Sequence, residues 1–215
     1  MHIFFSLKRY FQTHPYQMKY LIYLLIVFVS FSCQRSKQSA EADADVKALT
    51  QREQKAMEKV YDLGEPMRSI TFEVKADQKD FEDGIQPWVN MANPSDDLLH
   101  LIAKDEVVIA QPELSVIIDY PLNNEYKFDL QSENGFSREK LALEISKAYH
   151  RIYEEEERSA TIKTLPMEQR KIHNRNETNG KYGIWGHDIG DLVLSGILVH
   201  QTADGKLVLT LNIES

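Results

Sequence analysis

Leu141, Ile145, Ala148, Tyr149 and Ile152 fall three or four residues apart, the spacing that gathers side chains on one face of an α-helix. Ser137 stands ahead of them as an N-cap, able to accept a free backbone N–H, and Glu139 suits the positive end of the helix. The pattern predicts a long helix from Ser137 to about Glu157. A looser helical spacing (Val46, Leu49, Ala56, Val60, Leu63) predicts a second helix from about Asp45 to Leu63, ended by Gly64 and Pro66.

Elsewhere the period falls to two. Ile70, Phe72 and Val74 share one face of a strand in Ser69 to Lys75. Leu114 to Tyr120 is β-branched and apolar on both faces, which predicts a central strand. After Pro121 and the turn signal Asn123-Asn124, Tyr126, Phe128 and Leu130 alternate with polar residues and complete an antiparallel hairpin. Asp97 to Ala103 reads as a short helix and Val107 to Ile109 as a short strand, while Gly84, Pro87 and Asn93-Pro94 mark loops and turns. Leu192 to Val199 and Leu207 to Ile213, joined through Asp204-Gly205, form a C-terminal β-hairpin. Together these elements predict an α+β fold: a mostly antiparallel sheet with the long helix packed on one face.

The first 33 residues follow another logic. Tyr20 to Val29 is an unbroken apolar run of ten, too short for a hydrocarbon core that needs about 20 residues, and it has the length of a signal-peptide h-region. Ser30, Phe31, Ser32 and Cys33 follow, and Cys33 is the only cysteine in the chain. The segment V-S-F-S-C resembles a bacterial lipoprotein signal, with small residues at the positions three and one before the cysteine; Phe31 between them makes the match a loose one. The resemblance implies that residues 1–32 are removed and that Cys33 is lipidated, tethering the protein to a membrane of the cell envelope. It covers only this stretch. Met18-Lys19 directly precedes the apolar run, so a compact signal starting at Met18 is expected. Residues 33–45 hold no large apolar side chain beyond the cysteine and predict a flexible tether, leaving 46–215 as one globular domain.

Charge narrows the partners. The chain has 25 Lys+Arg and 33 Asp+Glu, a net charge of -8. Lys8, Arg9 and Lys19 are the only charged residues before Cys33, so the remainder carries 22 basic against 33 acidic residues, a net of -11. Such a body is repelled by phosphate backbones, and nucleic acid is not an expected partner. One cysteine cannot make an internal disulfide or a thiolate zinc cluster.

Candidate chemistry gathers in Asn179 to Asp191, with four glycines, two aromatics, His187, Asp188 and Asp191 in thirteen residues. A glycine-rich path can turn sharply enough to bring an imidazole and carboxylates together, as acid–base hydrolysis or a divalent metal would require. On that reading His187, Asp188 and Asp191 are the catalytic candidates, with His187, Asp191 and His173 as ligands should a divalent metal serve as cofactor. No established catalytic motif accompanies them. The competing reading is a tight structural loop whose aromatics close the core and whose aspartates cap backbone groups. Three further features carry weaker signals: Glu154 to Glu157 reads as a solvated acidic face, with recruitment of Ca²⁺ or a basic partner as the alternative; Asn176-Glu177-Thr178 is a fortuitous glycosylation triplet; and Trp88, near Phe81, Ile85 and Met91, anchors its loop on the core or, alternatively, lines a ligand cleft. The functional expectation is a lipid-anchored binding or assembly module with an envelope protein as partner and no resident cofactor; the alternatives are a hydrolase built on the His187 loop and a small-ligand carrier with a pocket between sheet and helix.

Overall fold

A computed structural model describes residues 43–44, 46–52, 54–55, 61–170, 172, 175 and 177–215. The expected signal segment, Cys33, most of the expected tether and His173 lie outside the described residues. The chain divides into two compact units, Met1–Thr50 and Gln51–Ser215. In the first, residues 43–44 and 46–50 are helical. In the second, residues 51–52 and 54–55 are helical but Tyr61 to Gly64 are not, so the first helix stops short of Leu63. There Gly64 takes a left-handed φ of +71° and the Tyr61 hydroxyl donates to Asp119 Oδ2 at 2.6 Å, anchoring the chain as it turns into the sheet.

The remainder of the second unit is α+β. Its strands are β1 (Arg68–Thr71), β2 (Val74–Lys75), β3 (Ile85–Gln86), β4 (Val89–Asn90), β5 (Val107–Ile109), β6 (Glu113–Ile118), β7 (Tyr126–Gln131), β8 (Phe136–Ser137), β9 (Val193–Gln201) and β10 (Leu207–Glu214). The helices are α1 (Ser95–His100) and α2 (Arg138–Ser159). The main sheet runs β1-β9-β10-β6-β7, and β4 pairs with β9 beside β1. All these pairings are antiparallel except β10 with β6, where Val208, Leu209 and Thr210 lie beside Ser115, Val116 and Ile117 in parallel. β6 is an inner strand, and Leu114, Val116, Ile117 and Ile118 are all buried, as apolar side chains on both faces require.

The expected strand from Ser69 to Lys75 is two. β1 pairs with β9 while β2 pairs with β3, and the break falls at Phe72-Glu73. Ile70, Phe72 and Val74 nonetheless share one buried face. α1 is shorter than the run to Ala103 suggests, because Leu101 is buried and bridges to Val74 and the Ile102 N–H donates to Glu73 O at 2.8 Å. These contacts pull the backbone out of helical geometry.

α2 begins where its cap places it. The Ser137 hydroxyl accepts the Lys140 N–H at 3.2 Å. Leu141, Ile145, Ala148, Tyr149 and Ile152 are buried in one core with the inward residues of the sheet. The fully buried Tyr149 hydroxyl donates to Tyr120 O at 2.8 Å and Ser146 donates to Met91 O at 2.7 Å, so polar groups on this face are hydrogen-bonded. Ser137→Ala should lower stability by about 1 kcal/mol in urea denaturation with an unchanged transition slope, since only the cap is lost.

Candidate functional site

The glycine-rich segment wraps the C-terminal end of α2. Along that helix Ile145, Tyr149 and Ile152 form the buried stripe, and the next position on it is Glu156, only 1% exposed. Its carboxylate is gripped by the segment. Oε1 accepts the Thr178 hydroxyl and the Gly180 N–H, each at 2.6 Å. Oε2 accepts the Tyr182 N–H at 2.7 Å and the Gly183 N–H at 3.2 Å. Burial pushes the carboxyl pKa up, but hydrogen bonds from the Thr178 hydroxyl and from the backbone of Tyr182, Gly180 and Gly183 prevail and hold it below the ordinary glutamate value.

The solvated acidic face is thus corrected at Glu156. The run Glu154 to Glu157 splits four ways: Glu154 is exposed, Glu155 binds Lys181 Nζ at 2.7 Å and accepts the Tyr182 hydroxyl at 2.6 Å, Glu156 is enclosed, and Glu157 lies 3.6 Å from Lys163. Consecutive helical residues fan around the axis, so only one of the four could continue the apolar stripe. The spacing Tyr149, Ile152, Glu156 already marks which one.

Beyond the carboxylate the segment closes the core. Tyr182, Ile184 and Trp185 are buried, and Trp185 lies edge-on to Tyr120 with ring centroids 5.3 Å apart. The Trp185 backbone N–H donates to Pro121 O at 3.0 Å, and the Arg52 guanidinium sits 5.9 Å from the indole centroid. Gly183 has φ +63°, and an added Cβ would lie 2.7 Å from Asn123 Nδ2. Glycine is needed there on both counts.

His187, Asp188 and Asp191 do not converge on one point. His187 is 3% exposed. Its Nε2 lies 3.0 Å from Ser215 Oγ, its Nδ1 lies 3.4 Å from Arg175 Nη1, and its backbone carbonyl accepts the Tyr153 hydroxyl at 2.9 Å. A guanidinium can only donate to Nδ1, and the roles of Nε2 and the Ser215 hydroxyl follow the ring's tautomer. Ser215 Oγ is also 2.8 Å from the Tyr120 hydroxyl, and the Tyr120 and His187 ring centroids are 5.8 Å apart.

Asp188 is turned toward Arg170, whose Nη2 donates to Oδ2 at 2.8 Å and whose Nε donates to Leu165 O at 2.8 Å. Arg170 Nη1 is buried, with no hydrogen-bond partner among the described residues. Asp191 accepts the Asp188 N–H at 3.1 Å. Among the described residues no group of three or more His, Cys, Asp or Glu side chains could hold a metal ion; His173, the third expected ligand, is not among them.

Trp88 departs from the core-anchor expectation. Met91 is fully buried in the core, but Trp88, Phe81 and Ile85 are half-buried and stand outside the core cluster. They pack on one another, with Phe81 edge-on to Trp88 at 5.6 Å.

No family model matches the sequence, no curated protein is significantly similar to it, and no solved structure matches the fold. Among the described residues no helix is long and apolar enough to cross a membrane.

Proposed function

We propose that the protein is a lipoprotein of the cell envelope, tethered through Cys33, whose folded domain acts by binding an envelope protein and not by catalysis. The observation that carries this reading is the segment V-S-F-S-C directly behind ten apolar residues, with the single cysteine of the chain at the processing position. The polar tether from Cys33 to Asp45 gives the domain reach from the surface it is anchored to. One feature favours binding over hydrolysis: the Asp188 and Asp191 side chains cap each other's backbone, and Asp188 also binds Arg170, while the His187 ring faces Arg175 and Ser215.

Expression in a bacterium fed an alkyne-bearing fatty acid tests it. Wild-type protein should take up the label and Cys33→Ser should not, the variant keeping residues 1–32 as an unprocessed precursor. An unlabelled wild type, or a Cys33→Ser variant that still takes up the label, would refute the anchor. Chemical crosslinking of the wild type on intact envelopes should give a discrete adduct with another protein; its absence would count against the binding role.

A further inference from the structure

The β2–β3 hairpin carries an aromatic and acidic cleft outside the core, on a face that the reading above does not use. Its loop is well fixed. The Asp80 and Phe81 N–H groups both donate to Asp77 O, the Gly84 N–H donates to Phe81 O, and the Ala76 N–H donates to Gly84 O, all within 2.8–3.0 Å. Gly84 turns the loop at φ +71°, and Asp83 Oδ1 accepts the Ile85 N–H at 3.0 Å. The result is an open cleft of about 580 Å³ with Phe81, Ile85, Pro87 and Trp88 as its walls and Glu82 and Asp83 at its rim.

Two properties identify what fits. The walls are apolar and include two aromatic rings at 71° to each other, so one ring face and one edge meet at the same corner. The charge is one-sided: Asp77, Asp80, Glu82 and Asp83 stand in seven residues against Lys79, which pairs with Asp77 at 3.2 Å. Asp80, Glu82 and Asp83 have no Lys or Arg partner among the described residues, and Glu82 and Asp83 are exposed. A flat cation that stacks on an aromatic ring while forking to a carboxylate matches both properties, and a guanidinium is that group. A neutral ring such as a sugar would match the walls but leave the charge unanswered.

We propose that this cleft takes an arginine side chain from a basic segment of the partner protein. The assignment deepens the binding role proposed above and rests on it for the partner, while the cleft chemistry stands on its own residues. The local excess of carboxylates adds attraction at longer range, so binding should weaken with salt.

The test uses the full chain in nonionic detergent, ¹⁵N-labelled, following the indole N–H signals of its two tryptophans; Trp88→Phe assigns them. The probe is the peptide Ac-Gly-Arg-Gly-Arg-Gly-NH2, with the glutamate counterpart and a neutral N-acetylglucosamine trimer as comparisons. The arginine peptide should move the Trp88 signal in a saturable way and leave the buried Trp185 signal in place. Glu82→Gln/Asp83→Asn, which keeps the Asp83 acceptor of the turn, should weaken the peptide by roughly fivefold to tenfold. An unmoved Trp88 signal, equal affinity in the double variant, or a response to the trimer and not to the peptide would overturn the assignment. The two proposals fail separately: a crosslinked partner with an unmoved Trp88 signal rejects the cleft alone, while a peptide-responsive cleft in a protein that takes no lipid label rejects the anchor alone.

Discussion

Glu156→Gln is expected to lower stability by about 3 kcal/mol or more, the largest effect of any single polar change in the domain. The carboxylate accepts four hydrogen bonds and is enclosed, so neither water nor another side chain can take over its role. Glutamine keeps the shape but offers one oxygen. Its amide nitrogen must then face either the Gly180 N–H or the N–H groups of Tyr182 and Gly183, setting donor against donor. The loss should appear as a lower urea midpoint. Because Trp185 is held by the same segment, its emission should shift to the red before the helix signal is lost, and proteolysis should open at 178–183.

Acid gives the same interaction a second signature. The folded-state pKa of Glu156 lies below the value of about 4.3 for an unfolded glutamate. Its stabilisation is therefore complete above that unfolded value and is lost as pH falls through the depressed folded one. Between neutral pH and about pH 5 the gap between wild type and Glu156→Gln should stay constant. Below about pH 4 it should narrow, since the wild-type carboxylate is then neutralised too. A gap independent of pH down to the acid transition would mean that shape, and not charge, secures the segment.

Most elements of this fold were legible because each rests on local spacing. The Ser137 cap, the apolar stripe of α2, the β6–β7 hairpin and the β9–β10 hairpin need only the residues within and beside them. The parallel alignment of β10 with β6 could not be read, since about 90 residues separate the two strands and no local pattern records such a pairing. β4 and β1 sharing the edge of β9, and the break at Phe72-Glu73, were hidden for the same reason. The candidate site shows the limit more sharply. Glycine density marks a segment that does turn tightly, but the focus expected there is His187, whereas the charge that organises the segment comes from Glu156 on another element. Four glutamates in a row suggest a solvated surface, and only their phase against Tyr149 and Ile152 singles one out.

The segment's glycines are not equivalent, and a matched pair of variants should expose the difference. At Gly180 an added Cβ would lie 2.6 Å from Ser159 Oγ, 2.8 Å from the Ala160 backbone nitrogen and 2.8 Å from Glu156 Cδ. Backbone and an anchored carboxylate cannot yield as a free side-chain tip would, so Gly180→Ala should lower stability by about 2–3 kcal/mol. At Gly190 a Cβ meets nothing within 4 Å and φ is ordinary, so Gly190→Ala should be neutral or slightly stabilising through a less flexible unfolded chain. Combining Gly180→Ala with Glu156→Gln then tests whether both act on one structure. Gly180 hands its N–H to Glu156 Oε1, so moving either partner already breaks that bond. The double variant should lose clearly less than the sum of the singles, by about 1 kcal/mol or more in a urea-denaturation cycle. Additive losses would show that Gly180 is confined by Ser159 and Ala160 alone and that the grip on Glu156 passes through Tyr182 and Gly183.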